Sequence, residues 1–222
     1  MELPVSRRWA VGALLALTMA TGVIDAVCYL RLGKVFVANM TGNIVFLGVS
    51  LSPGTGFSIA GSLVALAGFV IGAAVGGRLG RRFRGSPRRW LGLAFGVESA
   101  VLLVIAALVL VGVLDGAGPV LVKVFVGVLG VCFGFQNATI LVLSPPDLTT
   151  TVLTRTLTGL VADGVLGGGK DAKIHRRLGS VVAIFAGAGV GALLLRVSFS
   201  GTLLFAVVLV ASAGLVFVLA PD

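Results

Sequence analysis

The stretch Gly22–Gly48, GVIDAVCYLRLGKVFVANMTGNIVFLG, decides how the rest of the chain is read. Its first half belongs to a long apolar run, yet it carries Asp25. Its second half opens another apolar run with a polar cluster, Asn39, Thr41, Gly42 and Asn43. An ionisable residue inside a membrane segment is costly and rarely faces lipid, so Asp25 marks a functional-site hypothesis by default. Thr41–Asn43 offers a hydroxyl, an amide and bare backbone within three residues. Gly42 admits either the close approach of another helix or a break in its own.

Composition places this stretch in a membrane protein. Of 222 residues, 58% are hydrophobic and only 11% charged, with a mean hydropathy of +1.15. A soluble domain of this size needs more polar surface to cover itself. The formal charge of +9 is gathered into short connections, Arg7–Arg8, Arg78 to Arg89 and Lys170 to Arg177. Nucleic-acid binding needs a folded basic face and is set aside. Cytoplasmic loops of a membrane protein, close to anionic headgroups, account for the pattern. Cys28 and Cys132 lie in apolar runs without a ligand set, and the only histidine, His175, sits in a basic loop. Neither a metal site nor any cofactor is expected. The N-terminal SRRWAVGALLALTMA resembles a signal peptide, but its apolar run continues to Leu30. It is expected to be a retained first helix.

Apolar segments fall at Trp9–Leu30, Phe36–Leu51, Phe57–Gly77, Trp90–Leu114, Pro119–Leu143, Leu148–Val165, Leu178–Leu195 and Thr202–Leu219. A helix spanning a bilayer needs about 20 residues. The second and sixth segments are the weakest candidates, one short and both polar at their start. Internal similarity adds a second constraint. Gly22-x-x-Asp25-Ala26 recurs as Gly134-x-x-Asn137-Ala138, and Met40–Asn43 falls opposite Leu153–Thr156. Gly61–Gly68 resembles Gly179–Gly187, each followed by another glycine, Gly72 and Gly191. The expected halves are 9–114 and 119–220 of a single transmembrane domain.

Eight full crossings would put the basic loops 78–89 and 170–177 on opposite sides, against the positive-inside tendency. Making 148–165 re-entrant removes the conflict, and repeat symmetry extends the same treatment to 36–51. The expected fold is therefore an all-α polytopic membrane protein of two inverted three-crossing repeats, each with a short polar re-entrant or broken helix. Six crossings result. A seven-crossing version, with only 148–165 re-entrant, fits the charges almost as well.

Two roles stay open for Asp25, a proton- or cation-linked carboxylate lining a cavity, or a structural ion pair or helix cap with Arg31 or Lys34. Gln136 and Asn137 are its counterparts in the second half, and amides of this kind also bond helices together. Asp147, Thr151, Thr154 and Thr158 line one helical face, with Asp147 as a natural N-cap. Glu98, Lys123, Arg155 and Asp163 are further charges in or near segments, which the sequence does not pair. No phosphate-binding loop, zinc motif or catalytic triad is present.

With these residues in view, the chain resembles the YoaK-like family of uncharacterised bacterial membrane proteins. The resemblance rests on Asp25-Ala26, Phe36, Asn39–Asn43, Gly134-x-Gln136-Asn137-Ala138, Thr150, Thr151, Thr154 and Thr156. Arg155 stands where that family's TTxxTGT pattern has glycine. The resemblance implies a multi-pass protein of the bacterial cytoplasmic membrane and no particular substrate. The functional expectation is a small-solute secondary transporter or channel-like permease, not an enzyme. Its substrate-binding residues would be Asp25, Asn39, Thr41, Asn43, Gln136, Asn137, Thr151 and Thr154. Asp25 would carry any coupling to a proton or cation, because Asn137 cannot change charge. The alternative is a non-transporting scaffold or partner subunit. Expected partners are a small molecule or ion and the lipid bilayer, not nucleic acid, with homo-oligomerisation left open.

Overall fold

The computed structural model describes residues 4–143, 156, 158, 161 and 174–221. Among them the fold is helical throughout. The elements are α1 (Arg7–Arg31), α2 (Met40–Val49), α3 (Ile59–Arg82), α4 (Pro87–Leu110), α5 (Pro119–Leu143), α6 (Ile174–Leu194) and α7 (Phe199–Leu219). All but α2 are long and apolar enough to cross a bilayer. At 1.5 Å per residue, the 10 residues of α2 reach only about 15 Å, half a hydrocarbon core. Much of the apolar surface of the long helices is exposed, including Val70, Leu93, Val104, Val120 and Phe185. That outward apolar coat is what a bilayer solvates.

Two glycine seams hold four of the long helices in parallel pairs. On α3, a Cβ at Gly68, Gly72 or Gly76 would overlap the backbone of Gly127, Val131 or Phe135 on α5. Both helices advance by four residues in the same direction, so they run parallel. On α6, a Cβ at Gly187 or Gly191 would likewise meet Met19 or Val23 of α1. Glycine lets the backbones touch, which is how helices associate where lipid removes the hydrophobic drive. The second small residue on each seam comes from the partner helix. Gly22 of α1 abuts Ile184, and Gly134 of α5 abuts Phe69.

The two seams share one register. Met19, Gly22 and Val23 each stand 112 positions before Val131, Gly134 and Phe135, and these are the residues in matching contacts. The contacts therefore align Gly72 and Gly76 with Gly187 and Gly191. This is one turn along from the Gly68/Gly72 match expected from sequence. The pairing is compatible with inverted halves.

Hydrogen bonds at the chain ends fix which helix ends lie together. The Ser6 amide donates to the Pro221 carbonyl at 3.0 Å, and Arg88 Nη1 donates to the Ala220 carbonyl at 2.8 Å. The starts of α1 and α4 thus meet the end of α7, and the end of α3 lies shortly before α4 in the chain. Because α5 parallels α3 and α6 parallels α1, α5 ends and α6 begins at this same end. Arg7, Arg8, Arg78 to Arg89, Arg176 and Arg177 all gather there. At the other end Arg31 lies 5.7 Å from the Phe199 ring.

Candidate functional site

Asp25 sits six residues before the end of α1 and is buried, with 4% exposure. Beyond Arg31 the chain turns back sharply. Gly33 has φ +99° and Lys34 φ +56°, left-handed values that reverse direction within two residues. Phe36–Ala38, expected from their apolar character to start the second helix, instead run with Asn39 as non-helical chain back toward Asp25. α2 begins only at Met40.

Non-helical backbone at membrane depth must have its peptide groups satisfied by protein. Two side chains do this here. The Asp25 carboxylate accepts from the backbone amides of Val37 (2.8 Å), Ala38 (3.0 Å) and Asn39 (3.2 Å). It also accepts from the Asn39 side-chain amide. Asn43, fully buried one turn inside α2, takes the Phe36 amide on Oδ1 at 2.9 Å and returns Nδ2 to the Phe36 carbonyl. Gly42 leaves room for the Phe36 ring, which a Cβ would strike. That ring stacks on Tyr29 and Phe46, and Phe46 stacks on Phe57 at 4.4 Å between centroids. An aromatic column thus fixes α2 between α1 and the start of α3.

Of the residues expected at the site, Asp25, Asn39 and Asn43 are brought together. Asp25 bonds backbone and Asn39, not Arg31 or Lys34. Thr41 is exposed on the outer face of α2. Gln136 and Asn137 lie toward the opposite end, seven and six residues before the end of α5. Asn137 donates to the Phe133 carbonyl of its own helix. Thr151, Thr154, Asp147 and Arg155 fall outside the described residues. Thr158 is described as helical and exposed.

One residue that stood in the sequence only as an unpaired charge proves central to the second location. Glu98 of α4 is 2% exposed and Gln136 is fully buried against it. With its amide turned toward Glu98, Gln136 donates to the carboxylate at 2.7 and 3.2 Å. Beyond this pair, α4 and α5 border an open apolar pocket of about 410 Å³, lined by Val97, Val101, Ile105, Phe125 and Val128 among others. No group of His, Cys, Asp and Glu among the described residues forms a metal set.

A family profile described as "protein of unknown function (DUF1275)" matches residues 13–217. The chain belongs to this family. It is also 31% identical over 148 residues to the UPF0700 transmembrane protein YoaK of Bacillus subtilis (strain 168). That match covers 66% of this chain and 64% of the relative, so just under two thirds of the relative is spanned. No solved structure matches. The expected resemblance and the multi-pass membrane class are borne out. Within this DUF1275 chain, the described residues of the expected site fall in two places, Asp25, Asn39 and Asn43 at one and Gln136 with Glu98 at the other.

Proposed function

We propose that the chain is a small-solute secondary transporter or channel-like permease of the bacterial cytoplasmic membrane, built from inverted halves with the arginine-rich end inside. The observation that carries the reading is the half-helix α2, held by Asp25 and Asn43 after a non-helical approach. Discontinuous helices ending near the midplane, placed at the interface of inverted repeats, are a recurrent way to build transport sites. The matched glycine registers support the repeat, and the grouping of arginines supports the orientation. Asn39 and α2 would line the solute path from one end, Gln136 and Asn137 from the other, joined by Thr151 and Thr154. Asp25 shapes the path by holding its backbone.

One observation favours the scaffold alternative. Asp25 and Asn43 spend their hydrogen bonds inside the protein, as residues that lock helices together would. Flux through reconstituted vesicles separates the two readings. The screen covers inorganic anions, amino acids, nucleobases and metal ions. The transport reading expects protein-dependent uptake of one class, which falls at least severalfold in Asn39→Ala. Absence of uptake across every class, by protein that stays folded in the vesicles, would leave the scaffold.

A further inference from the structure

We propose that Glu98 and Gln136 form a membrane-buried proton-binding pair on the α4–α5 seam, with Glu98 as the group that gains and loses the proton. The two buried carboxylates differ in the donors that surround them. Asp25 has four N–H donors directed at it, so its ionised form is matched by its surroundings. Among the described residues Glu98 has one, the Gln136 amide. An ionised carboxylate offers about four acceptor positions, and a buried charge without a partner is strongly penalised.

Among the described residues, the titratable and charged groups around Glu98 supply no counter-charge. α4 packs on α5 and α7. α7 has no titratable side chain along Phe199–Leu219. From α5, Cys132 faces Glu98 one turn from Gln136, while Lys123 stands 13 residues from Gln136, about 20 Å along the helix. On α4 itself, Arg88 and Arg89 lie nine or more residues away, at least about 13 Å. No salt bridge to Glu98 occurs among the described residues.

Gln136 suits a partner that changes protonation, because a carboxamide carries both a donor and an acceptor. Turned one way, its NH2 donates to ionised Glu98. Turned the other, its carbonyl oxygen accepts the proton of neutral Glu98 across the same 2.7 Å. An amide flip therefore satisfies the pair in either state. The seam between this pair and the arginine-rich end also holds two buried polar atoms without a partner among the described residues, Trp90 Nε1 and Thr139 Oγ1. Trp90 is 6% exposed, Thr139 fully buried. Thr139 follows Gln136 by one turn on the same side of α5, and Trp90 meets the neighbouring Phe135 ring at 5.6 Å. They mark a polar side of the pair that faces the arginine-rich end. On the other side the pair borders only apolar side chains, among them Val101 and Ile105.

That Glu98 binds a proton is independent of the transport reading; that the proton drives a solute rests on it. The test uses dicyclohexylcarbodiimide on the full-length protein in lipid vesicles. This apolar reagent adds to protonated carboxyls within membranes and leaves an N-acylurea that peptide mass spectrometry locates. Glu98 should take the label at neutral pH, Asp25 should not, and labelling of Glu98 should fall at least fivefold as the pH is raised. Glu98→Gln should lose the label while keeping its unfolding temperature. Gln136→Met, which removes the two-way partner, should shift the pH midpoint of labelling at Glu98. Labelling of Asp25 instead of Glu98, labelling independent of pH, or protection by sodium at fixed pH would each overturn the proposal, the last by showing a metal-cation site.

Discussion

The Asp25 carboxylate acts on backbone, and this decides what its substitution does. Asp25→Asn keeps the shape but turns one acceptor oxygen into an NH2 group facing N–H donors. Bonds to a charged group contribute about 1.5–3 kcal/mol, and an unsatisfied buried donor costs a similar amount. The variant should lose about 2 kcal/mol or more against unfolding in detergent. A loss below about 0.5 kcal/mol would mean that Asp25 does not hold the chain entering α2. Asn43→Leu, which frees both peptide groups of Phe36, should cost a comparable amount. Thr41→Ala, at an exposed position, should stay within about 0.5 kcal/mol. The sequence marked Asp25, Asn39 and Asn43 because polar residues stand out in apolar runs. Their partners were hidden, since the amides of Phe36, Val37 and Ala38 belong to residues whose side chains are apolar. Glu98 was equally visible as a carboxylate within an apolar helix. Its partner was not, because Gln136 lies 38 positions later and only the fold brings it near.

At the scale of elements, the glycine seams carry the long helices. Gly72→Ala and Gly187→Ala each place a methyl group against partner backbone, at Val131 and Met19. Backbone cannot rotate away as a side chain can, so each should cost about 1–3 kcal/mol. Gly96→Ala, with nothing within 4 Å of its added carbon, should be neutral or stabilise by up to about 1 kcal/mol. Equal effects at Gly72 and Gly96 in an unfolding titration would contradict the seam. The expected match of Gly68 and Gly72 with Gly187 and Gly191 slipped by one turn for a physical reason. Glycines at 68, 72 and 76 repeat at the helical step, so a shift of four residues costs nothing in sequence similarity. The contacts of Gly22 with Ile184 and of Gly134 with Phe69 remove that freedom. The boundary of α2 was hidden for a related reason. Phe36–Ala38 are as apolar as the helix that follows, and only the left-handed turn at Gly33–Lys34 takes them out of it.

For the whole molecule, the membrane class and the six long spans among the described residues could be read from hydropathy and length. The common location of loops 78–89 and 170–177 followed from charge, and Arg176 and Arg177 lie with the first loop in the fold. What charge alone left undecided was whether the second apolar segment crosses. Its 10-residue helix, its approach doubled back onto Asp25 and the Phe46–Phe57 stack make it re-entrant. The most direct test is cysteine accessibility in a background where Cys28 and Cys132 are replaced, with single cysteines at Gly33, Gly56 and Gly85. A membrane-impermeant maleimide is applied to one face of the membrane at a time. Positions 33 and 56, which flank α2, should react from one and the same face, and position 85 only from the other. Reaction of positions 33 and 56 from opposite faces would make α2 a crossing helix and contradict the fold on which the proposed function stands.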